Sequence, residues 1–218
     1  MGIPILLFRL EGPLQSWGER SKWDYRDTAD FPSKSGIVGL LSCALGLERE
    51  DPEIAALSRQ LSVIVRADRA GELITDFHTV STDLLLNAEG KKRSGAGTIV
   101  SHRGYLQDAS FLVGVSGDGA LLQRLKNALD YPVWPVYLGR KSCVPSVPVT
   151  GRLTDTYGSL REAMENEPLP TRHDERILAE FDSMEGDGRL RPDLTVGPRQ
   201  FQNRRVAVRT VHVKEGET

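Results

Sequence analysis

An α+β fold with a mainly antiparallel sheet is what this chain predicts, on three observations. Short β-branched apolar runs alternate with stretches of one-faced helical spacing in the order strand, helix, strand, and that order then repeats. A glycine-rich basic stretch interrupts the middle of the chain. An acidic segment separates this part from a closing β-branched run.

Each element has its own local reason. Ile3 to Leu10 is a short, fully apolar strand ended by Glu11-Gly12-Pro13. After Leu14-Gln-Ser-Trp-Gly18 and a polar, aromatic loop to Asp30 comes Phe31-Pro-Ser-Lys-Ser-Gly-Ile-Val-Gly-Leu-Leu-Ser-Cys-Ala-Leu-Gly46. Pro32 and Ser33 mark a helix entry, with proline fitting a first turn and serine capping free amides. Ile37, Leu40, Leu41, Ala44 and Leu45 fall on one helix face, and Gly46 stops it. Pro52 to Leu61 reads as a short helical turn, Leu61 to Ala67 as a strand, and Glu72 to Val80 as an extension of the sheet.

Residues 81–101 break the pattern. Asn87 to Gly97 is glycine-rich and basic, between Leu84–Leu86 and Thr98–Val100, which predicts either a projecting hairpin with a basic tip or a surface loop. Tyr105 to Val115 reads as a strand, alternating from Ala109 through Phe111 and Val113. Asp118 to Leu129 is an amphipathic helix with Leu121, Leu122, Leu125 and Leu129 inward. Pro132 to Val149 is extended and punctuated by proline. This order is the split βαβ pattern of a ferredoxin-like (RRM-like) domain, with both helices on one face. The predicted division is a domain over 1–150 and an extension over 151–218. In the extension, Asp155 to Glu165 is expected to be helical, 166–192 irregular, and Arg204 to Val213 a strand with a bulge where its alternation slips.

The bulk properties exclude several classes. The chain has 218 residues, 39% of them hydrophobic, with no signal peptide or membrane span in the pattern. Cys43 and Cys143 lack metal or disulfide spacing, which predicts a reducing cytoplasm and no metal or cofactor. Cys43 reads as a small buried residue. The net charge of −2 hides an asymmetry: residues 155–187 hold ten acids and three bases, leaving the remainder with 20 acids and 25 bases. A mildly basic body fits RNA on one face and fits a solvated surface equally.

The residues that bear chemistry sit in the loops. Lys34, between Ser33 and Ser35, lies at a helix start, a ready phosphate site or simply a capped helix. Trp17 can stack on a base or plug the core edge, and Gln15 can read a base edge. Arg103 matches phosphate with its planar fork. Arg140 and Lys141 follow Gly139 in a tight turn; adjacent side chains point in different directions, so one of the two is expected to touch a ligand. Arg199, Arg204, Arg205 and Arg209 form a second basic group, read as surface charge. Ser35-Gly-Ile-Val-Gly lacks the Gly-Lys-Ser/Thr of a phosphate loop, which excludes a nucleotide hydrolase.

Five motifs in order carry a resemblance: Leu14-Gln-Ser-Trp-Gly18, Phe31-Pro-Ser-Lys-Ser-Gly-Ile-Val-Gly-Leu-Leu, Asp76-Phe-His-Thr-Val80, Tyr105-Leu-Gln-Asp-Ala-Ser-Phe111 and Tyr137-Leu-Gly-Arg-Lys-Ser-Cys143. Pro198-Arg-Gln-Phe201 also fits. The chain resembles CRISPR-associated protein family five in the form found in type I-E Cascade. The resemblance implies an RRM-like palm with a protruding β-hairpin thumb at about 81–101. It implies a subunit that binds the 5′ handle of CRISPR RNA without catalysis. The implied neighbours are the adjacent backbone subunit and the large subunit, with target DNA reached only through the complex. The residues expected at the RNA are Gln15, Trp17, Ser33, Lys34, Ser35, His78, His102, Arg103, Tyr105, Arg140 and Lys141, with Lys91, Lys92 and Arg93 on the thumb. The competing expectation is a metal-independent endoribonuclease of the type I-C kind, drawing on His78, His102, Tyr105 and Lys91. Such chemistry needs a base, an acid and a cation at one phosphate.

Overall fold

A computed structural model of the chain describes residues 2–81, 90–91, 98–183 and 187–213. Strand β1 (Ile5–Glu11) explains its own unbroken apolar run: Leu6, Phe8 and Leu10 enter one core, and Ile5 and Leu7 enter another on the opposite face. Two short strands follow, β2 (Leu14–Gln15) and β3 (Tyr25–Arg26). Helix α1 (Lys34–Leu45) starts on Ser33, whose hydroxyl accepts the Gly36 amide, and ends on Gly46 at φ 76°. Pro32 lies outside the helix, ahead of the cap rather than in the first turn. Helix α2 (Pro52–Gln60) is capped by Asp51 and leads into β4 (Ser62–Arg69).

Strands β5 (Glu72–Ser81) and β6 (Thr98–Gln107) pair antiparallel over their full lengths, from Glu72 opposite Gln107 to Ser81 opposite Thr98. The basic stretch between them, with Leu84–Leu86, Lys92 and Arg93, lies outside the described residues apart from Gly90 and Lys91. The single strand expected over Tyr105–Val115 is two, because the chain turns at Asp108, which adopts φ 56°. Arg69 secures that turn by donating to the Asp108 carbonyl at 2.8 Å and carboxylate at 3.1 Å. Strand β7 (Ser110–Ser116) and helix α3 (Gly119–Asp130) follow. Leu122, Leu125 and Leu129 are buried in α3, and Leu121 packs at the edge of the same core.

The stretch from Pro132 to Val149 holds no strand. Strand β8 (Arg152–Thr154) comes just after it and pairs with β1. Helix α4 (Leu160–Asn166) starts later than its apolar spacing suggested, at the Ser159 cap. The segment expected to be irregular contains β9 (Leu178–Asp182) and the start of β10 (Arg189–Gly197). Strand β11 (Gln200–Thr210) closes the chain. The irregular pairing falls on the β10 side, at Pro192–Leu194 and Thr195–Gly197, rather than at Val208–Val211.

One seven-stranded antiparallel sheet runs β10-β11-β9-β4-β7-β1-β8, and a smaller sheet gathers β5, β6, β2 and β3. Helices α1 and α3 share one face with Leu6, Phe8, Val113 and Val115; Leu160, Ala163 and Met164 of α4 pack on the other face against Ile5, Leu7 and Leu112. Burying each such side chain contributes about 1.5–3 kcal/mol. Helix α2 lies between α1 and β10, which brings the far end of the chain to the start of α1.

Candidate nucleic-acid interface

An open cleft of about 670 Å³ forms where α1 begins, and it collects segments distant in the chain. Ser16 and Trp17 come from the loop after β2, Ser33, Ser35, Gly36 and Gly39 from α1, Tyr137 and Gly139 from the turn after α3, and Arg199 and Phe201 from the β10–β11 turn. Three of the quoted motifs and Pro198–Phe201 thus meet at one place.

The floor is fixed by packing. Trp17 is 2% exposed, and its indole N–H donates to Gln15 Oε1 at 3.1 Å. Gln15, fully buried, donates in turn to the carbonyls of Leu10 and Ala109, tying the end of β1 to the start of β7. Trp17 forms the floor with Gln15 buried behind it, and neither offers an open face to a base. Gly139 sits at φ 87°, and a Cβ there would lie 1.8 Å from the Ser16 carbonyl oxygen. Gly39, by contrast, meets nothing within 4 Å, so α1 presents bare backbone to the cleft. Cys43 also lines it, half-buried rather than core, with its thiol pushed up chiefly by burial.

The rim carries the accessible chemistry. Trp134 is 41% and Phe201 50% exposed, and Arg49 and Arg199 are exposed beside them. Arg199 is held at φ 54° in the turn. Aromatic faces interleaved with guanidinium groups suit single-stranded nucleic acid. Of these, only Arg199 and Phe201 had a local signal, the Gly197-Pro198 turn. Trp134 sits among prolines with no periodicity to mark it.

The α1 start differs from the expected anion site. The Lys34 amide donates to Asp193 Oδ2 at 2.8 Å, so a carboxylate of the chain itself occupies that end of the helix dipole. The Lys34 side chain is buried away from the cleft, and burial holds its ammonium below its ordinary pKa. Around it lies a buried ion network. Fully buried Arg191 pairs with Glu180 at 2.5 Å and with Glu19, and donates to the Phe31 carbonyl at 2.7 Å. Arg204 pairs with Asp193 at 2.8 Å and Asp182 at 2.6 Å. Burial alone would lower the Arg204 pKa, but hydrogen bonds and charge from Asp193 and Asp182 raise it. Burial pushes the Glu180 carboxyl up against the pull of Arg191 and Arg204. Arg204 is therefore not the surface charge its strand position suggested.

The remaining expected residues fall on the small sheet and the 137–143 turn. The Arg140 guanidinium lies 4.7 Å from the Tyr105 ring centroid and donates to the Arg26 carbonyl at 2.9 Å. Lys141 is exposed. Arg103 donates to the Ser101 hydroxyl at 3.1 Å. His78 lies 3.7 Å from Asp76 and pairs across the strands with Ser101, whereas His102 pairs with Phe77. Residues directly opposite share a face, so the two histidines stand on opposite faces of the sheet. Among the described residues, no group of three or more ligating side chains suits a metal ion, and no helix is long and apolar enough to cross a membrane.

An antiparallel α+β body with an aromatic, arginine-rimmed cleft defines the class of this chain, and its relatives define the family. Residues 5–212 match the sequence model of CRISPR-associated protein (Cas_Cas5), and the chain belongs to that family. It is 37% identical over 150 residues to the CRISPR system Cascade subunit CasD of Escherichia coli (strain K12), covering 63% of this chain and 66% of CasD. That alignment spans just under two thirds of the relative's length. A chain of a solved CRISPR RNA-guided surveillance complex superposes with TM-score 0.79 at 34% identity, covering 96% of this chain and 90% of that one. A crystal structure of a Cas protein matches with TM-score 0.73 at 38% identity, covering 97% and 98%.

Proposed function

We propose that this chain is a non-catalytic subunit of a type I CRISPR surveillance complex that binds the 5′ handle of CRISPR RNA. The carrying observation is the convergence of Leu14–Gly18, the start of α1, Tyr137–Cys143 and Pro198–Phe201 on one open cleft with aromatic and arginine side chains at its rim. Kinship with the Cascade subunit CasD and with a chain of a surveillance complex supports the same reading. In this reading Ser33, Ser35, Arg140 and Lys141 line the approach of the RNA, Arg49 and Arg199 meet phosphates, and Trp134 and Phe201 stack bases. Lys34 acts through the network beneath.

The architecture belongs to the proposal too. The strand order β8-β1-β7-β4, with α1 and α3 on one face, supports a ferredoxin-like palm. The β5–β6 pair supports a thumb, with Lys91 in the segment that joins its strands; Lys92 and Arg93, expected on the same thumb, lie outside the described residues. Residues 151–218 serve as an extension packed on the palm over 1–150, with β8 and β9 adding to either side of it. The partners are the adjacent backbone subunit and the large subunit, in the cytoplasm, with target DNA met through the complex.

Two placements favour binding over RNA cleavage. His78 and His102 stand on opposite faces of β5–β6, and the Tyr105 ring is 7% exposed beneath Arg140. A base and an acid at one phosphate need a shared face. The test is binding of a handle RNA to the full chain, followed by photocrosslink mapping. Trp134→Ala and Phe201→Ala are each expected to weaken binding roughly tenfold. Crosslinks confined to spacer nucleotides, or repeat cleavage in EDTA by the purified chain, would overturn the reading.

A further inference from the structure

Every second residue in the middle of β10 faces inward. Arg191, Asp193 and Thr195 are buried, whereas Leu190 and Pro192 are exposed. Alternate side chains of a strand share a face, so these three form one row. Each member of the row holds a different wall of the cleft. Asp193 accepts the Lys34 amide at the head of α1. The Thr195 amide donates to the hydroxyl of Ser58, fully buried on α2, at 3.0 Å. Arg191 takes the loop that precedes α1.

The Arg191 guanidinium meets that loop at both ends. Its Nε pairs with Glu19 near the start, and its Nη2 donates to the Phe31 carbonyl at the close, at 2.7 Å. Its Nη1 is anchored on Glu180 of β9 at 2.5 Å. The Glu19 side chain is turned inward, and its second oxygen lies 3.4 Å from Arg189. Within itself the loop is already closed. The Ala29 amide donates to the Trp17 carbonyl at 2.8 Å, the Trp17 amide donates to the Thr28 hydroxyl at 2.9 Å, and Asp27 accepts the Glu19 and Arg20 amides. What Arg191 adds is the attachment of this closed loop to β10. Trp17 and Gly18 on one flank of the loop, and Ser33 and Ser35 on the other, line the cleft. The same β10 runs on into the turn that carries Arg199 and Phe201 at the rim.

A wholly buried ion group contributes little net stability over apolar packing. A planar guanidinium does fix the directions of its acceptors, which an ammonium on a flexible stem does not. We infer that Arg191 is a positioning residue for RNA binding: through Glu19 and Phe31 it docks the 19–31 loop on β10, and so holds the flanks of the cleft in register with its rim. This rests on the reading that the chain binds handle RNA in the cleft. It gives the segment beyond residue 151 a part in binding from behind the site, through a side chain that never touches the ligand.

Two measurements on the full chain test this: affinity for a handle RNA, and the rate of tryptic cleavage after the exposed Arg20, Lys22 and Arg26 of the loop, mapped by mass spectrometry. Arg191→Lys keeps the charge and loses the fork. Glu19→Gln removes only the loop's charged arm and leaves Arg191 its contacts with Glu180 and Phe31. Both are expected to speed loop cleavage and to weaken handle binding, by about tenfold for Arg191→Lys. The control is Arg66→Lys. Arg66 is equally buried, but it donates to Asp68 at 2.6 Å and to the Glu167 carbonyl at 2.8 Å on the α4 side of the large sheet. Arg66→Lys should lower the melting temperature as well, yet leave loop cleavage and affinity unchanged well below the melt. Unchanged affinity in Arg191→Lys and Glu19→Gln, whether or not cleavage accelerates, overturns the positioning role and leaves RNA binding in the cleft intact. An equal loss of affinity in Arg66→Lys reduces the effect to general destabilisation and overturns it too. Should Arg191→Lys fail to fold, Glu19→Gln decides alone. Absence of handle binding by the unaltered chain removes the underlying reading itself.

Discussion

Asp193 shows how much a single carboxylate can organise. It accepts the Lys34 amide at the head of α1 and the Arg204 guanidinium from β11, at 2.8 Å each. Removing one partner of a buried ion group leaves the other charge uncompensated, at a cost of about 3–5 kcal/mol. Asp193→Ala is therefore expected to lower the unfolding free energy by that much, read as a lower urea midpoint at an unchanged slope, and a loss within about 0.5 kcal/mol, the scatter of surface substitutions, would count against the network. Lys34 makes a prediction with a sign. Its folded pKa lies below the ordinary 10.5 because burial disfavours the charge. At pH values below the folded pKa, both states hold the proton and the buried charge costs stability. As pH rises from there toward 10.5, the native chain sheds a proton the unfolded chain still binds, so stability increases. The difference in unfolding free energy between the wild-type chain and Lys34→Met should grow with pH across that window; parallel curves would contradict it.

At the scale of elements, glycines with different surroundings separate packing from function. Gly139 needs its φ of 87°, and a Cβ there would strike the Ser16 carbonyl oxygen at 1.8 Å. Gly139→Ala is expected to lower thermal stability and distort the cleft floor together. Gly39 lies inside α1 with open space before it, so Gly39→Ala is expected to stabilise the helix by about 0.5–1 kcal/mol. If RNA approaches the bare backbone there, the same substitution weakens handle binding despite the added stability, a divergence readable by pairing melts with binding titrations. The helices were legible because α1 and α3 state their own boundaries: Ser33 and Asp118 cap them, and one face of each is apolar. Strands β9 and β10 were not legible. In β10 Arg191 and Asp193 point inward as charges while Leu190 is exposed, so the alternation that marks a half-buried strand is inverted, and in the short β9 Glu180 is buried between Ala179 and Phe181, leaving no alternation to read.

For the whole molecule, the consequence of charge layout is ionic. The acids of 155–187 are not a solvated tail throughout, because Glu180 and Asp182 neutralise Arg191 and Arg204 within the fold. That leaves Arg49, Arg199 and Lys141 around the cleft to meet a polyanion. Handle affinity is expected to fall linearly in log–log form with salt, with a slope of about −0.7 per phosphate neutralised on a single strand. Arg199→Ala should flatten that slope by roughly one contact. An unchanged slope would remove Arg199 from the interface.

By itself, the amino-acid order determined the strand–helix–strand rhythm, the capped start and glycine stop of α1, and the motifs that tie the chain to its family. These are short-range properties, written in spacing and in the backbone preferences of serine, proline and glycine. Only the tertiary structure decided that Trp17 is floor with Gln15 buried behind it, that Lys34 and Arg204 are buried in a network, and that Trp134 and Phe201 form a rim. Those roles depend on which distant segments pack together, and a side chain's exposure is set by neighbours more than a hundred residues away.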